Sequence, residues 1–328
     1  MNQDYPSQSG ENPATWERGV LEKLAFEALA EQRAARRWRS GIAVAWLLLL
    51  FLLLFTMLGW IGGKREGSSL EKHTALVELK GVISSDSKAS ADKIIISLQH
   101  AFKDKNTQGV VLRINSPGGS PVQAGYINDE IRRLRGNYKE IPIYVVVQDI
   151  CASGGYYVAV AADKIFVDKA SIVGSIGVLM DGFGFTGTME KLGVERRLVT
   201  AGENKGFLDP FSPINAEQQK YAKQMVDEIH QQFIKVVKEG RGARLKETPE
   251  IFTGLVWSGE KSVANGLADG FGGLDFVARD IIKAEQVVDF TEEDSLSESL
   301  ARRLGTSAAE SFWNRMFTSA AIGGRTPH

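Results

Sequence analysis

The sequence predicts an α/β fold: a largely parallel sheet covered on both faces, carried behind one apolar segment near the N-terminus. Three observations predict it. Short apolar runs alternate with amphipathic stretches from about residue 74 onwards, the pattern of strands joined by crossover helices. Two of those runs end in glycine turns, Asn115-Ser116-Pro117-Gly118-Gly119 and Cys151-Ala152-Ser153-Gly154-Gly155. Gly41 to Gly63 carries no charge and includes Trp46 to Phe55, built only of Trp, Leu and Phe.

Taken in order, residues 1–40 form a polar arm in which Glu17 to Arg39 has helix-forming composition. Residues 41–62 read as a transmembrane helix, since about 20 apolar residues at 1.5 Å rise span a hydrocarbon core. A cleaved signal peptide is the weaker reading, because the apolar run is long and a long polar stretch precedes it. Arg33, Arg36, Arg37 and Arg39 crowd the near side, which predicts a cytoplasmic N-terminus and an outward-facing bulk. Trp38, Trp46 and Trp60 are candidate interfacial anchors. Residues 63–73 are a tether.

The domain then runs over 74–288. Thr74 to Ile83 alternates as a strand, Ala91 to Phe102 has helical spacing, and Val110 to Ile114 is a buried strand. Val122 to Leu134 is a helix, Ile143 to Val147 a strand, Ser153 to Ala162 a small-residue helix and Ile165 to Val167 a strand. Ile172 to Met180 is a glycine-punctuated strand or loop. Helix Gly187 to Leu192, strand Glu195 to Thr200 and loop Ala201 to Pro213 follow. Asn215 starts a long helix from Ala216 to about Glu239, and shorter elements fill 240–288. Residues 289–328 are a polar tail, with Leu296 to Phe317 weakly amphipathic.

Bulk properties narrow the chemistry. With 328 residues there is room for a large core, and a net charge of -1 gives no reason to expect nucleic acid. Nothing in the sequence calls for a metal or a cofactor. The single cysteine, Cys151, excludes an internal disulfide and reads as a small buried filler rather than a catalytic thiol.

Ser153 is the leading nucleophile candidate, because a strand ending in a small-residue turn before a helix projects its turn serine beside free N–H groups. It needs a base. His73, His100, His230 and His328 stand at a tether, in helical patterns or at the end of the chain, so each reads as a surface or helix-face residue. A lysine serves as base if desolvation lowers its pKa from about 10.4. Lys205, among Gly202, Gly206, Phe207 and Leu208, is the best placed; an ordinary loop lysine is the plain alternative. Lys164 and Lys169 are rivals, but Asp163 and Asp168 beside them suggest exposed ion pairs. Ser175, in Gly174-Ser175-Ile176-Gly177, could orient a neutral amine or simply cap its own turn. Gly119 and Gly154 are candidate oxyanion donors. Tyr156 and Tyr157 belong either to a substrate pocket or to the core.

The motifs Asn115 to Gly119, Ala152 to Tyr157, Ala162 to Ile165, Gly174 to Val178, Lys205 and Gly240-Arg241-Gly242, in this order, resemble the signal peptide peptidase (SppA) family. The resemblance covers about residues 74–288. It implies a ClpP/crotonase-like repeated β-β-α superhelix, a Ser153/Lys205 dyad, Ser175 bonded to the lysine, and oxyanion donors at Gly119 and Gly154. It implies a ring-like homo-oligomer in which one protomer's lysine serves its neighbour's serine, with signal-peptide remnants as substrates at the bacterial inner membrane. Activity should then rise from acid to mildly alkaline pH. A membrane-bound relative with another substrate range, a crotonase-like acyl-thioester enzyme and a catalytically dead scaffold are the competing readings.

Overall fold

A computed structural model describes residues 38–55 and 71–292. The expectations for the polar arm before Trp38, for Trp60, for the tether before Glu71, for His328 and for the tail helix at Leu296 to Phe317 lie outside the described residues. The chain divides into two compact units, residues 1–64 with 296–328 and residues 65–295. In the first, helix α1 (Trp38–Phe55) has mean hydropathy 2.1 and none of its residues is buried. It is long and apolar enough to cross a membrane, in line with the uncharged run of the sequence.

The second unit is built on eight strands: β1 (His73–Lys80), β2 (Thr107–Ser116), β3 (Ile143–Ala152), β4 (Lys164–Val167), β5 (Ile172–Gly174), β6 (Val256–Ser258), β7 (Gly270–Phe271) and β8 (Val287–Asp289). Their order is β6-β5-β3-β2-β1-β8, with β4 between β3 and β7. Every pairing is parallel except β5 with β6. β3 is the pivot. Tyr144 to Val146 pair with β4, whereas Ile150 to Ala152 pair with β5.

Both faces of the sheet are covered, as the continuous apolar runs require. Ala75, Val77 and Leu79 of β1 turn to one face. There they join Leu98 and Phe102 of α2 (Ala91–Lys103), Ile127 and Ile131 of α3 (Pro121–Asn137), and Val158 of α4 (Gly154–Ala159). Leu76, Val111, Val146 and Phe166 turn to the other face and meet Val277, in the π-helical turn Val277–Ile282. Ser120 accepts from the Gln123 N–H and, with Pro121 at the first turn, starts α3. Asn215 does the same for α6 (Ala216–Arg241), accepting from the Glu217 and Gln218 N–H groups.

The far end of α6 is clamped to the back of α4. Gly240 lies so close to Val160 that a Cβ there would stand 2.2 Å from the Val160 oxygen. Buried Arg241 makes a paired contact with Asp269, at 2.8 and 2.9 Å, and also bonds the Gly266 oxygen. Burial opposes ionisation of Asp269, but the hydrogen bonds and charge of Arg241 outweigh it and hold the carboxyl below its ordinary value.

Several expectations need correction. The helix expected over Ser153 to Ala162 is shorter, because the Ala161 and Ala162 N–H groups reach back only three residues and end it. The strand expected at Glu195 to Thr200 does not form: all six residues are exposed and no neighbouring strand offers them a ladder. The short helix before it is present as α5 (Thr186–Lys191). The apolar run from Ile172 stays a strand only to Gly174, since Gly174 and Ser175 take positive φ, 114° and 53°. His73 is no surface residue. It opens β1 fully buried, stacked on Phe290. Asp163 pairs with Arg135 rather than Lys164, and Asp168 accepts from the Ala170 N–H of its own turn.

Candidate active site

Two strand ends and one glycine turn build the candidate site. Ser153 follows Ala152 at the end of β3 and has φ 50°, a region that side chains other than glycine seldom occupy. Its N–H donates to the Gly174 oxygen at 2.8 Å, and its own oxygen accepts from the Tyr157 N–H. Ala152 pairs with Gly174, so the next residue along each strand, Ser153 and Ser175, stands at the same level of the sheet. Both have positive φ. Ser175 is held by its N–H to the Leu255 oxygen, across from β6.

The turn after β2 closes over this pair. A Cβ on Gly118 would lie 2.6 Å from the Gly154 nitrogen and 2.8 Å from Ser153 Cβ. A Cβ on Gly154 would lie 3.2 Å from the Gly119 nitrogen. Only glycines permit so close an approach of two backbones. The turn is pinned from behind, as Ile83 donates to the Gly118 oxygen and accepts from the Ser120 N–H. Among the described residues, neither the Gly119 nor the Gly154 N–H has an acceptor, and the first N–H of a helix has none within it.

A groove of about 930 Å³ runs past Ser153, Ser175, Gly119 and Gly154. Its walls are largely apolar and aromatic, with Tyr126, Tyr157, Ile229 and Phe233, and among the described residues Asp129 is its one charged side chain. The two tyrosines thus divide. Tyr156 is fully buried and donates to the Leu267 oxygen, while Tyr157 lines the groove, 5.1 Å from the Phe233 ring. Desolvation, then the charge of Asp129, push the Tyr157 phenol up. Cys151 is fully buried and burial alone pushes its thiol up, which leaves it inert.

Lys205 is not brought to Ser153 within the chain. It is exposed, its N–H closes a turn onto the Gly202 oxygen, and it does not line the groove. Among the described residues, no lysine or histidine lines that groove. Lys205 belongs instead to an arm, residues 178–215, that exposes large apolar side chains: Leu179 at 81%, Phe183 at 79%, Leu192 at 72%, Val199 at 94% and Ile214 at 78%. A second cavity of about 1230 Å³ lies between this arm and α6.

Sequence reasoning missed the parts that come from far along the chain. Asp129, Gln232 and Phe233 reach the groove from helix faces, and Thr253 and Gly254 reach it from a turn. The amphipathic face of α6 was a usable signal for Phe233; nothing local marked Gly254.

Comparison with known proteins gives the chain's relatives. A family model described as "Peptidase family S49" matches residues 135–289. An Enterococcus faecium protein whose name carries "signal peptide peptidase SppA" is 30% identical over 234 residues, covering 69% of this chain and 67% of that protein. Protease 4 of Haemophilus influenzae is 30% identical over 237 residues, covering 71% of this chain and 38% of its own length. A Brucella melitensis protein named Na(+)/H(+) antiporter NhaA is 41% identical over 215 residues, covering 64% of this chain but 29% of its own length.

Proposed function

The chain belongs to peptidase family S49, and on that premise we propose that it is a membrane-anchored serine endopeptidase with a Ser153/Lys205 dyad shared between protomers. One observation carries the reading: a strained serine at the end of β3 whose groove offers free backbone donors from two turns and, among the described residues, no lysine or histidine. Acyl transfer needs a nucleophile, a base and an oxyanion site. The single chain holds the first and third together and leaves the second outside.

The missing base comes from a second copy. Lys205 rides on an arm whose apolar side chains are too exposed for an isolated chain, and covering them against a neighbour carries the lysine to that neighbour's groove. Lys205 then takes the Ser153 proton, and the alkoxide attacks the peptide carbonyl. The Gly119 and Gly154 N–H groups hold the tetrahedral oxygen, and Ser175 orients the amine. The lysine passes its proton to the leaving amine, and water frees the acyl group. No metal or cofactor takes part.

Substrates follow from the groove and the anchor. Helix α1 supports attachment to the inner membrane, with the arginines before it keeping the N-terminus cytoplasmic and the catalytic unit outside. The groove suits an extended apolar segment, and Asp129 favours a neighbouring cationic residue. A cleaved signal peptide combines both, an apolar stretch with a positively charged flank. The antiporter name belongs to the longer Brucella chain, and transport forms no part of this reading.

The test is complementation. Ser153→Ala and Lys205→Ala variants, each inactive alone, regain peptide cleavage when unfolded and reassembled together. A Ser153→Ala variant still labelled by a fluorophosphonate at this site would overturn the nucleophile. A mixture that stays inactive while forming mixed oligomers overturns the sharing.

A further inference from the structure

Between Ser153's groove and the second cavity runs a thin wall, and one side chain holds it. Gly177, Val178 and Leu179 line both cavities. Val178 to Met180 make no backbone hydrogen bonds among the described residues, so their N–H and C=O groups form a free edge beside the nucleophile. The wall is fixed on its inner side, where the Ser175 N–H donates to the Leu255 oxygen and Gly177 lies tight against Gly254. On the other side the contact is His230 of α6. Its Nε2 stands 3.1 Å from the Ile176 oxygen. A carbonyl only accepts, so that nitrogen carries the hydrogen. It is the one side-chain hydrogen bond to residues 175–182 among the described residues.

We propose that His230 is a positioning residue: it fixes Ile176 so that the free edge starting at Val178 and Leu179 stands ready to pair with an extended peptide beside Ser153. An exposed edge of this kind takes a peptide by main-chain bonds, and an edge held in place loses less freedom when the peptide arrives. α6 is suited to the task because Gly240 packs against Val160 at the end of α4, while Arg241 ties the far end of α6 to Asp269. The bond therefore references the wall to the same element that carries the nucleophile turn. This rests on the serine-peptidase reading of the groove.

The experiment uses the full membrane-anchored chain with His230→Phe and His230→Gln. Gln keeps an N–H near the position of Nε2 and Phe does not. For peptides long enough to run along Val178 and Leu179, His230→Phe should raise KM about five- to tenfold, the worth of one hydrogen bond, with kcat within about twofold. His230→Gln should recover most of that loss. Amide exchange at Val178 and Leu179 should quicken in His230→Phe and return in His230→Gln. Equal impairment of the two variants, an unchanged KM in His230→Phe, or exchange that does not respond each overturns the proposal. Fluorophosphonate labelling separates the two claims: a wild-type chain that does not label fails as a serine peptidase, whereas labelling retained with no KM effect removes only His230.

Discussion

The turn around Ser153 and the arm around Lys205 are opposite kinds of structure within one chain. At the turn, Ser153, Gly154, Gly118 and Ser175 are fixed by parallel strand register, by backbone contact and by bonds from Ile83 and Leu255. Two non-glycine residues hold positive φ there, and strain persists only where the surroundings over-determine it. In the arm, the strand expected at Glu195 to Thr200 has no partner, and Val199 is 94% exposed. One half of the site is finished by folding. On the proposed sharing between protomers, the other half is finished by association.

The largest effects should separate those halves. Ser153→Ala and Lys205→Ala should each lower kcat on the order of 10⁵-fold, since nucleophile and base act as a unit. Only the first should remove fluorophosphonate labelling in a complete way, because the second leaves the serine and its oxyanion donors in place. Val199→Glu should imitate Lys205→Ala by a different route: light scattering should show smaller assemblies, and activity should fall with them. If Val199→Glu stays assembled and active, the arm is not the contact that completes the site.

The next effect sharpens what holds the finished half. Arg241→Met leaves the Asp269 carboxylate with only the more exposed Arg244, 3.2 Å away, as a cationic partner, so the loss should approach but not exceed the about 3–5 kcal/mol of a broken buried pair. The pair also sets a pH dependence. Asp269 is depressed below its ordinary 3.8 in the folded chain, so its stabilisation is complete above that ordinary value. It is lost as the pH falls through the lower, folded one. Urea midpoints measured from pH 7 down to 3 should drop more steeply for the wild type than for Asp269→Asn, which cannot titrate. Parallel curves would show that the pair does not govern acid stability.

The fold was legible wherever a local pattern decided it. Runs such as Val110 to Ile114 and Ile143 to Val147 had to be parallel strands, as both faces are buried, and Asn215 had to start a helix, as it caps one. Ser153, Gly119 and Gly154 were legible from glycine turns that only close backbone approach requires. Lys205 was legible through resemblance but not through geometry, because nothing in one chain desolvates it. Glu195 to Thr200 misled for the same reason: a short segment becomes a strand only where a ladder partner exists. Asp129 and His230 were invisible for another reason. Each reaches its place by helix packing from far along the chain, and its neighbours in sequence carry no sign of the contact.

The smallest effect tests whether the finished half also chooses its substrate. Among the described residues, Asp129 is the one charged side chain in a largely apolar groove, and it is exposed. Water therefore weakens its field, and exposed charge pairs are worth little. Replacing it by Lys should lower kcat/KM for peptides with a cationic residue beside the apolar stretch about two- to fivefold, and raise it by a similar factor for acidic analogues. The change should shrink as salt is added, since exposed charges are screened. An apolar peptide without charge should be cut at the wild-type rate, which separates lost selectivity from a damaged groove. If cationic and acidic peptides respond alike, Asp129 takes no part in selection. The apolar walls of Tyr157, Ile229 and Phe233 would then define the substrate alone, with charge entering only through the arm of the neighbouring protomer.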